Sequence, residues 1–364
     1  MSQRAALMTG PGDPLEVRTL DDPSLEAGEA WIEIVASEVC GTDVHLHEGR
    51  LAGVPYPIIP GHVSVGRLIE ARGVERDARG RALSPGDLLT FYDVVGTCHR
   101  CFYCTVASQP NLCPERRVYG ITFPLSEGLR GGWATSMRLE TGTTIVKLDN
   151  GLEASDVIGG GCGLFTGFGA VERAAPRLGD AVVVQGSGPV GLAAAWFARI
   201  GGCGPLIVIG DPAARLELAE AMGADAVFSV SDTAPGDRIE AVRDRTAGRG
   251  ADVVIEASGN PAAVPEGFGL LRPGGRYVIA GHYTDAGPVA INPHADINRA
   301  HATVLGRWGT EERHVIRALE LLARHRPPFR RVIGAEYGLE RAGEALADVA
   351  GLRVTKAIIV PDAD

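Results

Sequence analysis

The hydrophobic pattern of the chain changes character less than halfway along. Up to about residue 150, short runs of β-forming residues alternate with turns rich in Gly and Pro. One run includes the Ile-Glu-Ile segment 32–34, and Val63 to Ile69 and Leu88 to Tyr92 form two more. Runs of this kind predict strands, whereas segment 72–86, with its Arg, Asp and Gly residues, predicts a solvated loop. We therefore expect a β-rich, barrel-like first domain.

From about residue 181 to 305, short apolar runs alternate with segments of helical periodicity. The apolar runs predict six strands, at Val182–Val184, Leu206–Ile209, Ala226–Phe228, Val253–Ile255, Tyr277–Ile279 and Thr303–Leu305. Amphipathic segments at 212–222 and 261–271 predict helices between them. Such alternation indicates an α/β domain with a doubly wound parallel sheet.

The end of the chain returns to a mixed pattern. Segments 312–325 and 339–349 predict helices, and 353–360 predicts a strand that needs a sheet to join. We expect this strand to join the first domain. The predicted division is therefore 1–163 with 307–364 for the first domain, and 164–306 for the second.

Composition excludes several classes of partner. The chain has 364 residues, 45% of them hydrophobic, which is enough for two domains with a core each. Its formal charge of −10, without a cluster of Lys and Arg, argues against nucleic acid and anionic membranes as partners. The first residues lack the apolar run of a secretory signal, so we expect a cytoplasmic protein. Glycines interrupt the apolar stretch 181–210, which favours a strand, a helix and a strand over a membrane span.

The chain contains seven cysteines. Without a secretory signal, they are expected to bind metal or act in catalysis rather than form disulfides. Four crowd together at Cys98, Cys101, Cys104 and Cys113, a spacing that predicts a closed tetrahedral zinc site; free or disulfide-linked thiols are the alternative. Cys40, His62 and Cys162 stand apart in Gly-rich surroundings, and two thiolates with one imidazole leave a fourth zinc position for water or substrate. Cys203 is left over and is expected to pack in a core.

A glycine-rich sequence follows the first apolar run of the chain's middle part and opens a helical segment. It reads Gly186-Ser187-Gly188-Pro189-Val190-Gly191 and follows the run AVVVQ. Its glycines permit a tight turn, close approach of the backbone to a pyrophosphate, and close helix packing, so the segment predicts a dinucleotide site.

Twenty residues after Gly191 stands Asp211, at the end of the next predicted strand. A carboxylate there accepts hydrogen bonds from the adenosine ribose and repels a 2′-phosphate, which favours NAD over NADP. A helix N-cap before Pro212 is the alternative interpretation. Arg215 is placed along the ribose edge, with a solvated helix face as its alternative.

Taken in order, the motifs closely resemble those of the zinc-containing medium-chain alcohol dehydrogenases over essentially the whole chain. They are C-G-T-D-x-H from Cys40 to His45, G-H at His62, the four-cysteine lobe, G-C-G-x-x-T-G from Gly161, and the G-x-G-x-x-G sequence. The resemblance implies a GroES-like catalytic domain and a Rossmann domain. It also implies a homodimer or homotetramer. The catalytic zinc ligands then fall on Cys40, His62 and Cys162.

The resemblance also implies roles for neighbouring residues. Asp43 would support the zinc-bound His62. Thr42 would receive the alcohol proton, and His45 would pass it through the cofactor ribose to solvent. Lys356 would lie near the cofactor pyrophosphate, with a solvated lysine as the alternative.

Two details depart from the family pattern. The last gap of the four-cysteine lobe is one residue longer than in many members, which a loop absorbs. Most members carry a Glu beside the metal directly after the ligand His, but this chain has Val63. Ligand exchange and the charge at the zinc are therefore expected to differ.

The resulting hypothesis is an NAD-dependent enzyme with two zinc ions per chain. It would convert a primary or secondary alcohol reversibly to an aldehyde or ketone. Polyol dehydrogenases of the superfamily tend to use Glu where this chain has Cys162, which favours simple or hydrophobic alcohols. The alternatives are a polyol, threonine-type or pathway-specific dehydrogenase, and a non-enzymatic NAD-binding sensor. The complete ligand set argues against the sensor and against a zinc-free quinone reductase.

Overall fold

The computed structural model describes residues 3–21 and 24–363. The chain forms two compact units. The first contains the residues up to Gly161 and those from Glu311 onward, and the second is Cys162–Thr310. The boundaries expected from the sequence, after 163 and before 307, lie a few residues away.

The strands, in chain order, are β1 (Gln3–Leu7), β2 (Glu16–Leu20), β3 (Ala30–Val39), β4 (Ser64–Ala71), β5 (Leu88–Phe91), β6 (Val94–Val95), β7 (Arg117–Val118), β8 (Ser136–Leu139), β9 (Ile145–Lys147), β10 (Val182–Gln185), β11 (Leu206–Gly210), β12 (Ala226–Ser229), β13 (Ala251–Glu256), β14 (Leu271–Ile279), β15 (Thr303–Gly306), β16 (Ala335–Tyr337) and β17 (Ala357–Ile359). The helices are α1 (Gly41–His47), α2 (Phe102–Thr105), α3 (Ala154–Ala174), α4 (Pro189–Ile200), α5 (Ala213–Ala221), α6 (Pro235–Arg245), α7 (Ala263–Leu270), α8 (Glu312–His325) and α9 (Ala342–Ala350).

The long strand β3 organises the first unit. The main sheet has the order β16-β17-β3-β4-β5-β9, and β8 also pairs with β3. Strands β4, β8 and β17 all run antiparallel to β3. The alternation of apolar side chains buries one side of these strands in a shared core that includes Ile32, Ile34, Leu68, Leu89, Phe91 and Met137. The strands predicted around 32–34, 63–69 and 88–92 are confirmed.

The chain's last strand, β17, joins the sheet of the first unit, as predicted. It pairs with β3 so that Ala357 lies opposite Val39 and Ile358 opposite Glu38. All three residues of β17 are buried. The pairing places the end of the chain directly beside the segment that leads into Cys40.

The second unit is built on a six-stranded parallel sheet. Its order is β12-β11-β10-β13-β14-β15, and every neighbouring pair is parallel. This is the doubly wound order in which the chain leaves β10 first to one side and then to the other, so that a crevice opens at the carboxyl ends of β10 and β13. All six predicted strands are confirmed, as are helices over most of 212–222 and 261–271.

The apolar stretch 181–210 forms β10, α4 and β11, as expected from its glycines. Over residues 3–21 and 24–363, no helix is long and apolar enough to cross a membrane. Helix α3 is interrupted at Gly161, whose φ of 53° and ψ of −143° are not helical.

The inward and outward positions of β3 give a stability prediction. Ile32 is fully buried in the core of the first unit, whereas the adjacent Glu33 is exposed. We expect Ile32→Ala to lower the free energy of unfolding by about 2 to 5 kcal/mol, because it leaves a cavity. Glu33→Ala should change it by less than about 0.5 kcal/mol. Denaturant unfolding followed by circular dichroism measures both, and equal effects would contradict the assigned faces of β3.

Candidate functional site

Cys40 is held in place by the start of helix α1. Its Sγ accepts a hydrogen bond from the Thr42 backbone N–H at 3.3 Å, and Asp43 Oδ2 accepts one from the Cys40 N–H at 2.8 Å. This reciprocal cap satisfies donors at the helix start and fixes the direction of the thiol. The C-G-T-D sequence therefore orients a cysteine as well as starting a helix.

His62 enters the same region just before β4. Gly61, with a φ of 90°, makes the turn, and a Cβ there would come within 2.5 Å of Ser37 Oγ. His62 itself is buried. Burial raises the pKa of the Asp43 carboxyl, and the nearby His62 imidazole opposes that shift. The electrostatic attraction between the Asp43 carboxylate and the His62 imidazole is compatible with the predicted support of His62 by Asp43. That support stays a prediction.

Four donor groups meet here, one more than the sequence predicted. Ligand atoms of Glu38, Cys40, His62 and Cys162 all lie within 4.8 Å of one another. Cys162 directly follows Gly161, where helix α3 is interrupted. Two thiolates, an imidazole and a carboxylate oxygen are all zinc donors, so the residues present fit this metal.

Glu38 is the residue that sequence reasoning missed. It is fully buried; its Oε1 lies 3.5 Å from His62 Nε2, and its Oε2 accepts a hydrogen bond from Lys356 Nζ at 2.5 Å. One signal was available in the sequence. In β3, Glu38 has the same parity as the inward-facing Ile32 and Ile34, where a charged side chain is unexpected.

Lys356 has a neighbour that the sequence did not predict. Its side chain is buried in the first unit, where Nζ binds Glu38 and lies 3.4 Å from the Gly160 carbonyl oxygen. It is not a solvated lysine. A contact with the cofactor pyrophosphate stays a prediction, whereas the contact with a metal-site carboxylate is observed.

Thr42 and His45 lie on α1, two and five residues after Cys40. Burial lowers the pKa of His45, Arg50 lowers it further, and Glu48 acts in the opposite sense. Within the part of the chain that the structure describes, His45 Nδ1 is buried without a hydrogen-bond partner. A neutral imidazole of this kind can accept a proton at neutral pH.

The second metal cluster is formed by the four crowded cysteines. Ligand sulfurs of Cys98, Cys101, Cys104 and Cys113 lie within 4.8 Å of one another. Backbone N–H groups, that of Arg100 foremost, lower the pKa of Cys98 to about 7, whereas desolvation raises that of Cys104 to about 12. A cation bound among the four sulfurs would favour their thiolate forms. None of the seven cysteines, all of which lie within the described residues, forms a disulfide bond, so the disulfide alternative is not what the structure shows.

The predicted dinucleotide loop lies at the carboxyl end of β10. Gly186 has a φ of 113°, and a Cβ on it would come within 2.8 Å of the Ala257 backbone. Gly188 is the N-cap of α4, whose first two residues are Pro189 and Val190. A Cβ on Gly191 would overlap the Gly186 carbonyl oxygen. Gly186 and Gly191 thus have a steric reason, whereas Gly188 has open space around its Cα. The start of α4 offers N–H groups to an anion.

Asp211 lies just after β11, near this loop. Its carboxylate accepts hydrogen bonds from Ser229 Oγ and from the Ser231 N–H, both at 2.9 Å. Helix α5 starts at Ala213 with Pro212 as its N-cap, so Asp211 is not the cap of this helix. Ser187 Oγ donates to the Asp211 carbonyl oxygen at 2.9 Å, which joins the glycine-rich loop to the end of β11. Arg215, half-buried in the first turn of α5, has its pKa lowered by burial.

Comparison with known proteins gives matches over most of the chain. Residues 26–150 match the alcohol dehydrogenase GroES-like domain family, and residues 189–324 match the zinc-binding dehydrogenase family. The 5-exo-hydroxycamphor dehydrogenase of Pseudomonas putida is 33% identical over 362 residues, 98% of each chain.

Two solved structures extend the comparison. The structure of an alcohol dehydrogenase from Thermotoga maritima has a TM-score of 0.96 and 33% identity, with full coverage of both chains. A zinc-binding dehydrogenase from Sinorhizobium meliloti, solved bound to NADP, has a TM-score of 0.87 and 27% identity and covers 99% of this chain and 100% of its own. With its GroES-like and Rossmann domains and its two cysteine-containing donor clusters, the chain belongs to the zinc-binding medium-chain alcohol dehydrogenase family and is an oxidoreductase.

Proposed function

We propose that the protein is an NAD-dependent alcohol dehydrogenase that transfers a hydride reversibly between a primary or secondary alcohol and NAD. The products are the aldehyde or ketone and NADH. The observation that carries the proposal is the convergence of Cys40, His62 and Cys162 on one point, with Thr42 and His45 on the adjoining helix.

The metal assignments follow from the donor sets. Cys40, His62 and Cys162 would hold the catalytic zinc, and the four-cysteine cluster would hold a structural zinc, giving two ions per chain. A zinc ion at the first site lowers the pKa of an alcohol oxygen, so that the alcohol loses its proton near neutral pH. The short backbone hydrogen bond to Asp43 keeps Cys40 aimed at that site.

The chain's own residues would handle the proton. The Thr42 hydroxyl accepts it from the alcohol, and the neutral His45 imidazole takes it onward. Because its pKa is lowered from the ordinary value, the His45 imidazole is neutral at neutral pH and is available as a proton acceptor.

The nucleotide would bind at the glycine-rich loop. Gly186, Gly188 and Gly191 admit the pyrophosphate, and the carboxylate of Asp211 accepts hydrogen bonds from the adenosine ribose. Its negative charge opposes a 2′-phosphate, which supports NAD. NADP is the second candidate, because the Sinorhizobium relative was solved with it.

The proposed substrate class rests on one relative and one residue. The relative that is 33% identical over nearly the full chain is named for 5-exo-hydroxycamphor, which supports a hydrophobic cyclic alcohol. Cys162 in place of Glu points the same way. We further propose a cytoplasmic protein and, on the family resemblance, a homodimer or homotetramer.

Activity and metal content together test the proposal. We expect NADH to form with some members of a panel of primary, cyclic, aromatic and polyol alcohols. Its formation is monitored by absorbance. Cys40→Ser should lower turnover at least about a hundredfold, because it disables the Lewis acid. It should also lower zinc from two ions per chain to one while the fold is kept. Unchanged turnover in a folded variant would refute the assignment of Cys40. Turnover confined to polyols would replace the proposed substrate class.

The cofactor assignment is tested by removing one charge. Asp211→Asn keeps the shape of the side chain but not its charge, and should raise kcat/KM for NADP relative to NAD by about tenfold. Glu220→Gln, on the exposed face of α5, removes an equal charge and should leave the ratio unchanged. The same ratio in Asp211→Asn and the unsubstituted protein would contradict the role of Asp211.

The proton path predicts a pH dependence. Because its folded pKa is lowered, His45 is neutral above that pKa and becomes protonated as the pH falls through it, below the ordinary value of 6.5. The part of the alcohol-oxidation rate that depends on His45 should therefore fall as the pH drops below that pKa. His45→Gln should lower kcat/KM at neutral pH by about tenfold or more, with recovery by added buffer base. His47→Gln, on the same helix, is the control. Identical pH profiles for His45→Gln and the control would rule out the path.

A further inference from the structure

The carboxylate of Glu38 has the position of a metal ligand. It belongs to the same donor cluster as Cys40, His62 and Cys162, and its Oε1 lies 3.5 Å from His62 Nε2. Two ligands of one tetrahedral ion, each about 2 Å from it, are separated by about this distance. The side chain is fully buried, so solvent does not stabilise its charge.

Lys356 holds the other oxygen of the same carboxylate. Its Nζ donates to Glu38 Oε2 at 2.5 Å, and it is one of two lysines in a chain with 33 arginines. A lysine ammonium is compact and has a flexible stem, whereas a guanidinium is planar and larger. A point charge at this position can therefore stay with the carboxylate as the carboxylate moves.

The backbone leaves room for this pair. A Cβ on Gly161 would overlap both Glu38 Oε2 and Lys356 Nζ. The residue that precedes the metal-site Cys162 is thus a glycine for a steric reason that involves the ion pair. Glu38 is also fixed at its backbone, because its N–H donates to the Val63 carbonyl oxygen at 3.1 Å.

The charges balance if a divalent cation is present. Two thiolates neutralise the cation, and Lys356 neutralises Glu38. Buried charges are strongly unfavourable unless each is paired, so a neutral set of this kind is the stable one. The acidic group that Val63 does not supply therefore reaches the site from the neighbouring strand, two residues before Cys40.

We propose that Glu38 is a fourth protein ligand of the metal in the resting protein, and that Lys356 draws it aside when an external ligand takes the fourth position. The inference rests on the proposed function in that it requires a metal at Cys40, His62 and Cys162. Glu38 would then be a carboxylate that closes the site between turnovers, and Lys356 would be a positioning residue.

Cobalt substitution tests this without turnover. In the Co²⁺-loaded protein, binding of imidazole is titrated by the change in the visible d–d bands. Imidazole must displace Glu38, so an open fraction of about one-tenth weakens its apparent affinity about tenfold. Glu38→Gln should therefore bind imidazole about tenfold more tightly, because a neutral amide is a poorer ligand than a carboxylate.

The second variant predicts the opposite sign. Lys356→Met removes the group that draws the carboxylate aside, so imidazole should bind more weakly than in the unsubstituted protein. Glu33→Gln, on the exposed face of the same strand, should change nothing. Where Glu38→Gln does not fold, Glu38→Asp serves instead, because the shorter side chain keeps the charge but withdraws the oxygen, and imidazole should again bind more tightly.

The outcomes separate the two proposals. An unchanged imidazole affinity in Glu38→Gln, or shifts of the same sign in both variants, would overturn the role of Glu38 and leave the proposed function standing. The remaining outcome is that imidazole does not change the visible spectrum of the Co²⁺-loaded protein and that the Cys40→Ser variant has the same spectrum as the unsubstituted protein. This would mean that no metal is bound at Cys40. In that case the proposed function fails together with the inference.

Discussion

The buried ion pair between Glu38 and Lys356 is the interaction on which the arrangement of the first unit depends. Both side chains are almost completely inaccessible, and each charge is stable there only in the presence of the other. The pair joins β3 to β17, where Ile358 lies opposite Glu38. It therefore fixes the last strand of the chain beside the segment that supplies the metal donors, and it requires a glycine at 161.

The same short segment serves the fold and the chemistry. Strand β3 ends at Val39, and the next residue, Cys40, caps α1 through its thiol while Asp43 returns a hydrogen bond to its backbone. A cysteine held this way loses little freedom on binding a metal. In the second unit, backbone geometry alone shapes the predicted binding loop, because Gly186 and Gly191 allow β10 and α4 to approach closely. In both units the functional group stands where a strand ends and a helix starts.

Much of this was predictable, for identifiable reasons. The six parallel strands were predicted because each is a continuous apolar run between turns, and the three-residue metal set was predicted because its motifs occur in order. The Glu38–Lys356 pair was not, because its partners lie 318 residues apart and no local pattern links them. The parity that Glu38 shares with Ile32 and Ile34 was the one local signal. It is a weak one, because the pairing of β3 with β4 shifts register between Trp31 and Ile32 and between Ile34 and Ala36 and so breaks the simple alternation. The carboxylate contacts of Asp211 with Ser229 and Ser231 likewise depend on the pairing of β11 with β12.

We propose that one chain holds two metal ions in two different environments, one open to exchange and one closed. Anomalous diffraction at the zinc edge from crystals of the protein tests it most directly. We expect two peaks per chain. One should lie among Cys98, Cys101, Cys104 and Cys113, and the other among Cys40, His62 and Cys162, with a Glu38 oxygen about 2.0 to 2.2 Å away. A single peak, or a second peak away from Cys40 and His62, would contradict it.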